Sequence, residues 1–181
     1  ALAHPVHAGR WDSIDELIEV VDREFGRIDI LVNNAGSGPA MASHDVTEAL
    51  FDSVVGLNFK GPFRLASRVA KRMADGEGGV IVNVSSSGSL MATPGVVPYA
   101  SAKAALNAMG HSLAAEYGPK VRVNTLCPGP FLTDIARASL RRSSSSPIWA
   151  RNPSNIWSSD PAACSPVLRA TKSSSGWSRS R

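Results

Sequence analysis

Apolar residues along the first 130 positions recur at two periods that take turns. Ile14, Leu17, Ile18, Val21 and Phe25 repeat at the spacing of one helix face. A helix is therefore predicted over 12–25, opened by a Ser13-x-x-Glu16 capping box and closed by Gly26. Ile28-Asp29-Ile30-Leu31-Val32 is then a short, nearly continuous apolar run halted by Asn33-Asn34-Ala35-Gly36, the pattern of a buried parallel strand. Thr47 is placed to cap a long helix through Leu50, Val54, Leu57 and Phe59 to about Met73. Gly61-Pro62 kinks or interrupts that helix, because proline has no N–H to donate, and the Gly76 to Gly79 segment ends it. Val80–Val84 reads as a second strand and Tyr99 to Tyr117 as a further long helix. Val121–Leu126 reads as a third strand, stopped by Pro128-Gly129. Strands alternating with helices argue for an α/β fold, a parallel sheet with helices on both faces, in which ligands bind at the carboxyl ends of the strands.

Composition divides the chain in two. Residues 1–140 carry 12 Lys and Arg against 14 Asp and Glu, whereas 141–181 carry 7 against 1, so the basic character belongs to the tail. From Ser143 onward serine supplies 13 of 39 residues, three of the four tryptophans cluster there, and no helix or strand period holds. The expectation is one domain over 1–140, followed by a 141–181 tail that is disordered or read in a non-native frame. Nucleic-acid binding through that basic tail ranks last among the functions considered. No apolar run reaches the roughly 18–20 residues needed to cross a bilayer, so no membrane partner is expected. Two cysteines, Cys127 and Cys164, cannot build a disulfide framework or a thiolate zinc site, which fits a reducing compartment, with the cytoplasm as default. His4, His7, His44 and His111 lack paired ligand spacing, and no metal is assigned.

The sharpest local signal is Tyr99-Ala-Ser-Ala-Lys103. Residues i and i+4 share one helix face, so a phenol and an ammonium can converge there. The ammonium favours the phenolate, drawing the phenol toward a pKa at which it trades protons with an alcohol. Any long helix supplies such a pair by chance, so context decides. Ser86 lies 13 residues earlier, at the end of the second strand, where a hydroxyl can hold a substrate oxygen or merely bond its own serine-rich turn. Asn58 lies 28 residues before Ser86, flanked by Leu57 and Phe59, and an amide there is most often bonded locally.

Taken in order, Asn33-Asn34-Ala35-Gly36, Asn58, Ser86, Tyr99-x-x-x-Lys103 and Pro128-Gly129 make the stretch from Trp11 to Ile135 resemble the short-chain dehydrogenase/reductase family. The resemblance implies a Rossmann-like doubly wound parallel sheet. It also implies an NAD- or NADP-dependent oxidoreductase that interconverts a small-molecule secondary alcohol and a ketone. By that resemblance Tyr99 is the acid/base, Ser86 holds and polarises the substrate oxygen, and Lys103 lowers the tyrosine's pKa and bonds the nicotinamide ribose. Asn58 holds a proton-relay water. Asn33, Ala35 and Gly36 line the adenosine side of the cofactor groove, while Pro128, Gly129 and Thr133 hold the nicotinamide. A homo-dimer or tetramer follows by the same analogy.

The sequence departs from the family at both ends. None of its 15 glycines forms the Gly-x-x-x-Gly-x-Gly turn that cradles a cofactor diphosphate. The resemblance implies a chain that begins inside the family's third strand, near Ala1 to His7, with the first βαβ unit missing. Val6-His7-Ala8-Gly9-Arg10 stands where the family often has an adenine-side aspartate, so the choice between NAD and NADP is not readable. The family's last strand and substrate-covering helices are expected to be missing from the tail. Such a chain is expected to be weakly folded and of low activity, with a catalytically inactive binding or interaction module as the alternative.

Overall fold

Helix α1 runs Trp11–Phe25, one residue earlier than its hydrophobic period predicts, from an Arg10 N-cap that contributes no side-chain bond. Ser13 thus lies inside the first turn instead of capping it, and its hydroxyl accepts from the His7 backbone N–H at 2.9 Å. At the other end Gly26 takes φ 82°, the left-handed conformation that glycine adopts without steric cost. Strand β1 follows at Ile30–Asn33 and helix α2 at Glu48–Val55, whose N-cap Thr47 hydroxyl accepts from the Leu50 N–H at 3.3 Å. The structure, a computed structural model, describes residues 1–129 and the backbone of Val167–Arg169.

Between α2 and helix α3, Gly61–Asp75, the helix does not break. Gly56–Lys60 widens into a π turn and the winding continues. Pro62 accounts for this, since without an N–H it cannot bond the Asn58 carbonyl four residues back. The interruption expected at Gly61-Pro62 is therefore a change of winding. A side chain on Gly61 would collide with the Ala8 carbonyl, so glycine lets the segment before α1 lie directly on this turn. Ala1–His7 itself forms no strand, contrary to the expectation of a family strand there. Pro5 has no N–H for a ladder, and Val6 packs instead against the core.

Strand β2 is Gly79–Val84, helix α4 is Val97–Tyr117 with Pro98 in its first turn, and strand β3 is Val121–Leu126. The three strands pair in parallel in the order β3-β2-β1, with Leu31 opposite Ile81 and Ile81 opposite Val123. The tail, in which the sequence pattern predicts no strand, contributes one. β4, Val167–Arg169, pairs antiparallel to the outer edge of β1, whose backbone groups offer a ready template.

Expectation and structure also differ over the sheet's two faces. Leu31, Ile81, Val121 and Val123 form one core with Ile14, Leu17 and Ile18 of α1, Leu65 and Val69 of α3, and Leu106 and Leu113 of α4. All these strand residues lie on one side, so the described helices cover one face and not two. On the other side Ile30, Val32, Val80 and Val82 are half-buried, and Arg122 and Asn124 are exposed. The apolar character of Ile30, Val32, Val80 and Val82 makes β1 and β2 look buried on both sides, whereas β3 shows its alternation in sequence as Val121-Arg122-Val123-Asn124. Among the described residues no helix is long and apolar enough to cross a membrane.

Polar contacts join α1 to α3 across the top of the core. Arg64 donates from Nε to Asp15 at 3.0 Å and lies 4.7 Å from the Trp11 ring centroid, while Arg72 reaches Asp22 at 2.7 Å. The Arg64 hydrogen bond, foremost, holds the Asp15 carboxyl below the ordinary carboxylate range, against an opposing desolvation effect. A carboxyl depressed in the fold stabilises above its unfolded pKa of about 4, and that stabilisation is lost as pH falls through the folded value. Arg64→Ala is therefore expected to lower the unfolding free energy near neutrality. In urea titrations the difference should shrink as the pH falls from the unfolded pKa of about 4 through the folded pKa of Asp15; an equal loss at acid and neutral pH would contradict the pairing.

Candidate active site

The four residues named from the sequence lie at the carboxyl end of the sheet, and all are buried: Asn58 and Ser86 at 0% exposure, Lys103 at 2% and Tyr99 at 6%. Two of them come from α4. Its inward face starts with Tyr99 and Lys103 and continues as Leu106, Met109 and Leu113, so one helix face carries polar chemistry at its start and core packing beyond. Lys103 Nζ donates to the Val84 carbonyl at 2.8 Å and lies 5.7 Å from the Tyr99 ring centroid, within cation–π range. Ser85 holds the same lysine from its backbone side, donating from Oγ to the Lys103 carbonyl at 3.0 Å. The last residue of β2 and the one after it thus grip Lys103 twice, and Ser86 follows immediately. Ser86 Oγ accepts from the Gly88 N–H at 2.9 Å, which leaves its own proton to donate elsewhere.

Asn58 sits in the π turn. Its amide nitrogen donates to the Val54 and Ser37 carbonyls, each at 2.8 Å, tying the helix to the loop after β1. Its Oδ1 is buried with no hydrogen-bond partner among the described residues. That loop is where Asn58 and Lys103 meet: a Cβ built on Gly36 would stand 2.7 Å from Asn58 Oδ1 and 3.1 Å from Lys103 Nζ. Two residues on, a Cβ on Gly38 would stand 2.8 Å from the Tyr99 ring. Glycines here let the loop close over three of the four side chains.

The remaining candidates divide. Asn33 belongs to a polar layer running in register across the sheet, Asn33–Asn83–Thr125, in which Asn33 Nδ2 donates to Asn83 Oδ1 at 2.9 Å. Asn83 Nδ2 and Thr125 Oγ1 are buried without partners among the described residues, and α4 passes over them at Gly110, where a Cβ would collide with Thr125 Oγ1. Ala35 is buried and lines a small cavity with Val6, Ala8 and Leu57. The Pro128 carbonyl accepts from the Ser87 N–H at 2.9 Å, and no described residue lies within 4 Å of a Cβ built on Gly129. Thr133 lies outside the described residues. Among the described residues no cluster of His, Cys, Asp and Glu is arranged to hold a metal.

Sequence reasoning missed Ser85, Gly38 and Asn83. Ser85 was hidden in a serine run, and Asn83 in an apolar strand; its register with Asn33 was the available signal.

The profile of the family described as short chain dehydrogenase matches residues 1–143. An uncharacterized oxidoreductase of Thermotoga maritima is 39% identical over 71% of this chain and 52% of its own length. The D-threitol dehydrogenase of Mycolicibacterium smegmatis is 37% identical over 68% of this chain and 48% of its own. Among solved structures, a 3-ketoacyl-(acyl-carrier-protein) reductase from Brucella melitensis complexed with NADH superposes with a TM-score of 0.67 at 31% identity, covering 71% of this chain and 55% of that one. The chain spans about half the length of the curated relatives it matches.

The glycine contacts give a direct test. Gly36→Ala is expected to destabilise the fold by about 1–3 kcal/mol through overpacking. Gly56→Ala, with nothing within 4 Å of its Cβ position, should be neutral or slightly stabilising in the same denaturant titration. Equal midpoints for the two variants would show that the loop does not close on Asn58 and Lys103.

Proposed function

The chain belongs to the short chain dehydrogenase family, and from that premise we propose that it serves an NAD(P)-dependent oxidoreductase interconverting a secondary alcohol and a ketone. The observation that carries this reading is the buried pair Tyr99 and Lys103, with the ammonium fixed by the Val84 carbonyl beside the phenol ring.

In the reductive direction the Tyr99 hydroxyl donates its proton to the substrate oxygen, and the neighbouring ammonium stabilises the phenolate left behind. The Ser86 hydroxyl, its lone pair already engaged by Gly88, donates a second hydrogen bond to the same oxygen and polarises the carbonyl. When bound, the reduced nicotinamide supplies the hydride that reaches the carbonyl carbon. The orphaned Asn58 Oδ1 would accept from a water that also meets Lys103 Nζ, a route for returning a proton to Tyr99. Burial of all four groups strengthens each of these interactions.

The described residues suit the nicotinamide end of such a cofactor: a buried ammonium and phenol would face the ribose, and Pro128 and Gly129 the carboxamide. Asn33, Ala35 and Gly36 would border the adenosine side. The diphosphate is different, since the sequence holds no Gly-x-x-x-Gly-x-Gly turn for it. That gap favours a second reading, in which this chain by itself is a catalytically inactive relative acting as a binding or interaction module. Phe51 and Val97, 47% and 45% exposed on α2 and α4, support homo-oligomeric assembly.

Purified full-length chain should oxidise NADH or NADPH in the presence of a ketone panel. Tyr99→Phe should lower that turnover by roughly 10²–10⁴-fold while leaving cofactor affinity nearly unchanged. Undiminished turnover by Tyr99→Phe would overturn the acid/base assignment, and absence of both cofactor binding and turnover would select the second reading.

A further inference from the structure

Ser86 is held by more than its own turn. Its backbone carbonyl accepts from the Ser89 N–H at 3.0 Å and from the Ser89 hydroxyl at 2.6 Å. Having given its proton to that carbonyl, Ser89 Oγ accepts from Asn107 Nδ2 at 2.8 Å. Asn107 Oδ1 in turn takes a weak bond from the Cys127 thiol at 3.8 Å. The bonds run one way: Cys127 to Asn107, Asn107 to Ser89, Ser89 to Ser86.

Asn107 stands on α4 one turn beyond Lys103, itself one turn beyond Tyr99. It is the next member of the Tyr99, Lys103 stripe, and half-buried. Cys127 opens the segment after β3 that leads to Pro128 and Gly129, and the Pro128 carbonyl also accepts from Ser87. One asparagine therefore joins the turn bearing Ser86 to the helix bearing Tyr99 and Lys103, and touches the first residue of the segment after β3.

We propose that Asn107 is a positioning residue, which fixes the Ser86 hydroxyl relative to Tyr99 by directing the Ser89 proton onto the Ser86 carbonyl. The catalytic part of this inference rests on the oxidoreductase reading; the positioning part does not. Its signature is polarity. Asn107→Asp keeps the shape but replaces the amide donor by an acceptor, so the Ser89 hydroxyl turns its proton toward the carboxylate and releases the Ser86 carbonyl. Simple loss of packing would make the isosteric aspartate milder than alanine. Loss of donor direction makes it at least as disruptive.

The test uses the full chain and two readouts. In ¹⁵N-labelled protein, Asn107→Asp should shift the Gly88 amide resonance, whose N–H meets Ser86 Oγ, and speed its exchange by roughly five- to tenfold, with α1 amides unchanged. Ser89→Ala should produce the same local change, and the double variant little more, because both remove one link. In ketone reduction both variants should lower kcat while leaving the KM for NADH unaltered. An unshifted Gly88 resonance in both Asn107→Asp and Ser89→Ala overturns the positioning role. If the unmodified chain shows no turnover, the oxidoreductase reading fails separately, and the Gly88 signal still decides the role of Asn107.

Discussion

A lysine ammonium at 2% exposure is costly to hold away from water, and the carboxyl end of this sheet is organised around meeting that cost. Val84 gives its backbone carbonyl to Nζ, and Ser85 pins the helix carbonyl of the same residue. The Tyr99 ring lies beside the charge, and the loop from Gly36 to Gly38 closes over both because it carries no side chains at its points of contact. Each feature is a local consequence of where the cation sits.

Asn58 reaches the same point through a change in backbone winding. Pro62 withholds a helical hydrogen bond, the π turn absorbs the defect, and the turn directs the asparagine amide to the Ser37 carbonyl while its oxygen remains buried and free to accept. Beneath these groups the Asn33–Asn83–Thr125 layer replaces apolar packing where the strands end. Burying polar groups there costs stability that an apolar layer would not, and such layers persist where they fix one register and one arrangement.

Much of this was legible in the sequence. The helix periods located α1, α3 and α4, and the apolar runs of β1 and β2 with the alternating segment of β3 located the parallel strands among the described residues, because each element obeys a local rule. Tyr99 and Lys103 were legible because a spacing of four residues on a helix fixes their mutual direction. Features set by contact at a distance were not. The open sheet face was invisible because Val80 and Val82 are as apolar as residues of the buried face, and β4 was invisible because three residues, Val167–Arg169, carry no period. Ser89 and Asn107 stood 18 residues apart with nothing local to link them. Ser13 misled for the opposite reason: a capping box was present as a pattern, but the chain spends that hydroxyl on His7.

If Lys103 acts on Tyr99 as proposed, the phenol reports it without cofactor or substrate. The chain has only two tyrosines, so Tyr117→Phe leaves the near-ultraviolet phenolate absorbance to Tyr99 alone. The titration midpoint of that chain should rise when Lys103→Met is added, making the phenol at least about tenfold less acidic. A midpoint that stays where it was, or falls, would contradict the claim.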